Sequence, residues 1–293
     1  MQQKILVTGS GGQLGWELAH SAPSSVQCIA LGRGQFDLGN AESMLEVLDH
    51  WVPQQVINAA AYTAVDGAEA DAASAWRVNC EGPGHRARAC AERGIRLLHV
   101  STDFVFDGES AHPYRPGDAA APLGEYGRSK LAGEQAVLDA CPDAVIFRTG
   151  WLYSCRGSNF VKTMLRLMGE REVLSVVQDQ VGTPTWGRGL AAALWAAVDR
   201  QELSGIYHWS DAGVCSWYDF AVAIYEEGRA LGLLNEEVSI RPIASSDYPT
   251  PARRPAFSVL DKTSSWRDLE LEGIHWRQQL RGMLKKIQEQ KDV

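Results

Sequence analysis

Tyr126-Gly127-Arg128-Ser129-Lys130 sets a phenol and an ammonium four residues apart. Positions i and i+4 of a helix share a face. Residues 125–140 carry a helical pattern, so the two groups can reach one space. A free phenol titrates at about 10 and is a sluggish acid or base at neutral pH. A cation beside it favours the phenolate and lowers that value. The pair therefore reads as a proton donor tuned by its lysine. Tyr-x-x-x-Lys also arises by chance, so its meaning depends on the elements that position it.

Residues 4–8 (KILVT) form a short β-branched and apolar run, a buried strand. Gly9-Ser10-Gly11-Gly12-Gln13-Leu14-Gly15 follows, and residues 16–20 continue as helix. Strand, glycine-rich turn and helix present backbone N–H groups and a positive helix end to a pyrophosphate. The spacing is Gly9-x-x-Gly12-x-x-Gly15, with Gly11 extra, rather than Gly-x-Gly-x-x-Gly. Its place at the start of a βαβ pattern makes Gly9, Gly11, Gly12, Gln13, Leu14 and Gly15 a candidate dinucleotide turn. Residues 26–31 are the second strand, and no acidic residue near its end is placed to hold the ribose of NAD. Arg33 could receive the 2′-phosphate of NADP or lie in solvent. Asp37, followed by Leu38, could touch the adenine or cap the helix 40–51.

Residues 55–58 are a third strand running into Ala59, Ala60 and Ala61, small side chains that let a ligand approach the strand end. A helix over 74–92 follows, with Asn79 read as solvated. The fourth strand, 95–100, ends in Ser101-Thr102-Asp103-Phe104, where a hydroxyl could meet a substrate oxygen or satisfy the loop backbone. The loop 108–124, with Pro113, Pro116 and Pro122, is long enough to be a lid. Residues 144–148 are the next strand.

In this order the motifs resemble the extended short-chain dehydrogenases/reductases, and within them the reductases of dTDP-linked keto sugars. The words that carry the resemblance are residues 58–69 (NAAAYTAVDGAE), 101–108 (STDFVFDG), 126–134 (YGRSKLAGE) and 147–153 (FRTGWLY). Residues 159–164 (NFVKTM), 178–184 (QDQVGTP) and Arg254-Pro255 extend it over nearly the whole chain. The resemblance implies reduction of the 4-keto group of a dTDP-4-dehydro-6-deoxy-L-hexose to dTDP-L-rhamnose with NADPH or NADH, a step towards cell-surface polysaccharide. It assigns proton donation to Tyr126. Lys130 would hold the nicotinamide ribose and lower the Tyr126 pKa, and Thr102 would orient the keto oxygen. Substrate contacts fall to Thr102, Asp103, Phe104, Tyr126, Trp151, Asn159, Gln180 and Arg254, with Lys162 a weaker candidate. Trp151 offers a stacking surface and Arg254 a phosphate clamp, or else a solvated loop arginine.

Two departures stand out. The family commonly has Tyr where this chain has Phe104, so a hydroxyl near the sugar is lost. Some members bind magnesium through acidic residues at a dimer interface, but Gly189 to Leu194 hold no carboxylate. A metal-held dimer is therefore not expected, although Glu17 is present; a homodimer stays open.

The expected fold is α/β: a Rossmann-like, doubly wound parallel sheet with a smaller mixed α/β C-terminal substrate lobe. The dinucleotide domain is expected over 1–150, joined by elements from about 173–210, and the substrate lobe over 151–172 and 211–293. The 293 residues are 45% hydrophobic, enough for a sizeable core, and the formal net charge of −8 argues against a nucleic-acid or anionic-membrane partner. Six scattered cysteines without metal spacing fit a reduced, cytoplasmic chain, with no signal peptide and no bilayer-spanning stretch expected. Two other readings keep the fold. One is a sugar-nucleotide epimerase or dehydratase retaining its NAD; the other is a non-catalytic dinucleotide-binding regulatory subunit.

Overall fold

The computed structural model describes residues 2–32, 34–35 and 41–291. Its centre is a six-stranded parallel sheet. The first five strands are β1 (Gln3–Thr8), β2 (Val26–Leu31), β3 (Gln55–Asn58), β4 (Arg96–Thr102) and β5 (Val145–Thr149). With the strand Gly205–His208 at one edge, the spatial order is Gly205–His208, β5, β4, β3, β1, β2.

Side-chain alternation divides each strand between two layers. Ile5, Val7, Ile57, Leu98, Val145 and Phe147 face Leu14 and Leu18 of α1 (Gln13–His20) and Leu190 and Leu194 of the helix Gly187–Asp199. Leu6, Val56, Leu97 and Ile146 face the other way, onto Met44 and Leu48 of α2 (Ala41–Trp51), Ala87 and Cys90 of Gly82–Ala91, and Val137 of Glu125–Ala140. This is a doubly wound α/β sheet, buried on both faces, as the apolar runs predict.

The second lobe has a core of its own. Val161, Met164 and Met168 of Phe160–Glu170 pack with Phe220, Ala221 and Ile224 of Trp217–Ala230 and Leu280, Met283 and Leu284 of Trp276–Lys291. Ser216 and Asp219 form a reciprocal capping box at the start of Trp217–Ala230. The strand Val173–Val177 pairs in parallel with Ser239–Ile243 in this lobe. From the span 173–210 expected at the sheet, the helix Gly187–Asp199 and the strand Gly205–His208 are the elements that reach it. The exposure of Val173–Val177 alternates, which suits a two-stranded ribbon on a helix rather than a strand buried on both faces. The short helix Thr263–Leu269 returns to pack on Gly205–His208, and Ser265 donates to the His208 carbonyl.

Candidate active site

Because all six strands run parallel, their carboxyl ends share one rim, the edge where ligands lie in such sheets. At the end of β1 the chain turns through Gly9, with φ +81°, against the backbone of Ala60 beyond β3. The Gly12 N–H bonds the Gly9 carbonyl at 2.9 Å. A Cβ on Gly15 would run into that same carbonyl, so the turn closes only with glycine at both positions. Helix α1 starts at Gly12 without a side-chain cap, leaving its first N–H groups for an anion. Gly11 has open space around it. Leu14 points into the core, and the Gln13 amide oxygen accepts from Asn159 Nδ2 at 2.9 Å, tying α1 to the second lobe. Ala59 and Ala61 are half-buried at the rim beside Ala60. Arg33, Asp37 and Leu38 lie outside the described residues.

Thr102 ends β4 and starts a 3-10 turn, Asp103–Val105. Its Oγ1 accepts the Phe104 N–H at 3.2 Å and donates to Asp103 Oδ1 at 3.1 Å. Tyr126 stands in the first turn of Glu125–Ala140, four residues before Lys130. The Phe104 ring stands edge-on to that of Tyr126, with centroids 5.6 Å apart. Burial pushes the phenol up to about 12, Thr102 opposing and the Asp103 charge adding to the rise. Tyr126 is thus a protonated phenol at neutral pH.

Lys130 lies one turn along, buried, and its Nζ donates to the Val100 carbonyl of β4 at 2.7 Å. Burial draws it down to about 8 against the pull of Glu134. The spacing leads one to expect a lowered phenol; burial instead dominates and raises it. The ammonium is held by the strand backbone, and desolvation governs the phenol.

Asn79 departs from the solvated position that its helical context predicts. It is fully buried on a π-helical turn, Arg77–Glu81, that breaks the expected helix 74–92. Its side chain accepts the Tyr62 N–H at 2.8 Å and donates to the Tyr62 carbonyl at 3.0 Å and to Ser129 Oγ at 3.2 Å. Ser129 Oγ in turn donates to the Tyr126 carbonyl at 2.9 Å. One amide thus fixes the chain beyond β3 relative to the helix bearing Tyr126. The signal in the sequence is Gly82-Pro83, since proline is favoured only at a helix start.

The remaining substrate candidates are engaged by the protein. Trp151, at φ +49°, stacks flat on Trp217 at 3.5 Å, which covers one of its faces. Asn159 caps Phe160–Glu170 through Lys162 N and donates to the Ser154 carbonyl as well as to Gln13. Lys162 Nζ donates to the Cys155 carbonyl, and Gln180 Nε2 to Ser245 Oγ at 3.0 Å. Arg254 grips Asp66 with both terminal nitrogens, at 2.7 and 3.1 Å, and this pairing lowers the Asp66 carboxyl below its usual range. Glu17 is buried, bonded to Ser154 Oγ and Trp186 Nε1. Among the described residues no group of three or more His, Cys, Asp or Glu side chains could hold a metal ion.

A glycine turn at the first strand and a Thr–Tyr–Lys set on the same rim define a reductase-type Rossmann architecture of the extended short-chain dehydrogenase/reductase class. The family model described as "RmlD substrate binding domain" matches residues 3–289. The dTDP-4-dehydrorhamnose reductase of Burkholderia thailandensis is 46% identical over 284 residues, 94% of this chain and 95% of that one. The crystal structure of a Clostridium acetobutylicum dTDP-4-dehydrorhamnose reductase superposes with a TM-score of 0.92 at 36% identity, covering 98% of this chain and 100% of that one. The Bacillus anthracis dTDP-4-dehydrorhamnose reductase in complex with NADP gives a TM-score of 0.92 at 33% identity, with 98% and 100% covered. The chain belongs to the dTDP-4-dehydrorhamnose reductase family.

Proposed function

We propose that this chain reduces the 4-keto group of dTDP-4-dehydro-6-deoxy-L-mannose to dTDP-L-rhamnose with NADPH or NADH, as the last step of dTDP-rhamnose biosynthesis in the cytoplasm. The observation that carries this reading is the placement of Thr102 at the carboxyl end of β4 beside the helix Glu125–Ala140 that bears Tyr126 and Lys130, with Lys130 Nζ bonded to the Val100 carbonyl of that same strand. Reduction of a ketone needs a proton donor, and an alkoxide is basic enough to take a proton from a phenol.

The turn Gly9–Gly15 and the uncapped start of α1 fit a dinucleotide's pyrophosphate. When bound, the nicotinamide supplies hydride. The chain's own residues do the rest. Thr102 orients the keto oxygen, Tyr126 Oη gives its proton to that oxygen as charge grows there, and Lys130 holds the ribose beside β4. Phe104, packed on Tyr126, helps to exclude water. We take the dinucleotide lobe as residues 1–150 with 187–208, and the substrate lobe as the remainder, the sugar nucleotide lying between them. There Trp151 is the stacking surface for the substrate, and Arg254 meets the diphosphate by exchanging Asp66 for it.

The test is loss of nicotinamide absorbance on mixing the protein with the keto sugar nucleotide and NADPH, then NADH. Turnover supports the reading. No turnover with either, in protein that binds both ligands, sinks it. The dinucleotide turn has its own check. Gly15→Ala crowds the Gly9 carbonyl, an overpacking cost of about 1–3 kcal/mol. NADPH affinity by fluorescence titration is expected to fall by roughly tenfold or more. Unchanged affinity would remove Gly15 from the cradle.

A further inference from the structure

The Thr102 hydroxyl has one proton and several claimants. It accepts from the Phe104 N–H and sends its proton to Asp103 Oδ1. While that proton points at Asp103, Thr102 has none to give to a substrate carbonyl. Asp103 is itself buried. Its Oδ2 has no well-aligned donor and lies against Gly150, where there is no room for even a Cβ. Ser258, from the loop after Arg254, is the neighbour that most opposes the effect of burial on this carboxyl. Tyr126 is the titratable group facing it from the helix Glu125–Ala140.

We propose, building on the reductase reading, that Asp103 is a positioning residue that sets the direction of the Thr102 hydroxyl. As the neutral acid it donates to Thr102 Oγ1 and turns the Thr102 proton towards the keto oxygen; as the carboxylate it takes that proton back. No bond is made or broken beyond the hydrogen bonds.

Burial raises the Asp103 carboxyl to about 6, with Ser258 and Thr102 opposing the rise. The neutral acid prevails below that value, so the productive direction is present there and lost as pH rises through it. Bound substrate excludes more water and brings a negative diphosphate near, and both favour the neutral acid. The limb in kcat therefore lies at higher pH than the limb in kcat/KM, which reports the free enzyme.

The experiment is a pH profile of both constants for wild type, Asp103→Asn, Thr102→Val and Ser258→Ala, each checked for folding by thermal melt. Wild type is expected to fall roughly 10²-fold between plateaus, the effect of one lost oxyanion donor. Asp103→Asn, whose amide donates to Thr102 at every pH, loses the limb near 6 and keeps only the one near 8 that belongs to Lys130. Thr102→Val is slow and lacks the limb near 6 as well. Ser258→Ala keeps that limb and moves it to higher pH, because the neighbour that most opposes burial is gone; this variant decides the matter if Asp103→Asn does not fold. A limb near 6 that persists unmoved in Asp103→Asn, or that stays in place in Ser258→Ala, overturns the proposal alone. Absence of wild-type turnover at every pH overturns the reductase reading and this proposal together.

Discussion

Tyr126→Phe is expected to lower kcat for the keto sugar nucleotide by about 10²–10⁴-fold, the worth of a positioned proton donor. NADPH affinity should stay within about twofold, since the variant deletes one oxygen and leaves the ring on Phe104. The loss should not be repaired by raising pH. Burial holds the phenol up at about 12, so wild-type Tyr126 is a full proton donor across the neutral range. Steady-state rates and a fluorescence titration of the nicotinamide settle the matter. A variant that keeps wild-type kcat would show that water or Thr102 supplies the proton, and a variant that no longer binds NADPH would show Tyr126 to be structural.

Glu134→Ala is expected to destabilise the chain by about 3–5 kcal/mol, the usual effect of stranding one partner of a buried ion pair. Arg148 Nη2 lies 2.7 Å from Glu134 Oε2 and Nε lies 2.9 Å from Oε1, with both side chains under 5% exposed. Without the carboxylate the guanidinium keeps, among the described residues, the Pro116 carbonyl and the face of Phe106. The melting temperature should drop by on the order of 10 °C. The double variant Glu134→Leu with Arg148→Met should regain most of it, because two apolar groups leave nothing unpaired. A drop of under about 1 kcal/mol in the single variant would mean that water reaches the site. Glu134 also supports the Lys130 charge, so its loss moves Lys130 below about 8 and leaves more of it neutral at neutral pH.

What the sequence made legible followed from period and local chemistry. The helix Glu125–Ala140 was readable to the residue, because its apolar spacing and the glycine before it are local signals. The strands of the central sheet were readable as short apolar runs. The unreadable parts depend on partners far along the chain. Asp66 and Arg254 are 188 residues apart, and nothing local says that they will meet. The same holds for Lys130 and the Val100 carbonyl, 30 residues apart, so the tyrosine–lysine spacing does not reveal the strand carbonyl that holds the ammonium. The π turn at Arg77–Glu81 adds one residue to a helix that otherwise keeps its period, so Asn79 looked solvated when it is fully buried. Val173–Val177 alternates as a strand should, but alternation does not name the neighbour.

The sixth strand, Gly205–His208, has a consequence for how the chain is made. β5 is complete at residue 149, yet its outer neighbour arrives more than fifty residues later. During synthesis, Val145, Ile146 and Phe147 therefore wait with one row of backbone groups unpaired, the kind of edge that recruits foreign strands. The helix Gly187–Asp199, which covers the same layer as α1, is equally late. The dinucleotide lobe is therefore completed only after the chain has passed through residues 151–186 of the other lobe, and that edge stays open until residue 208 has been made.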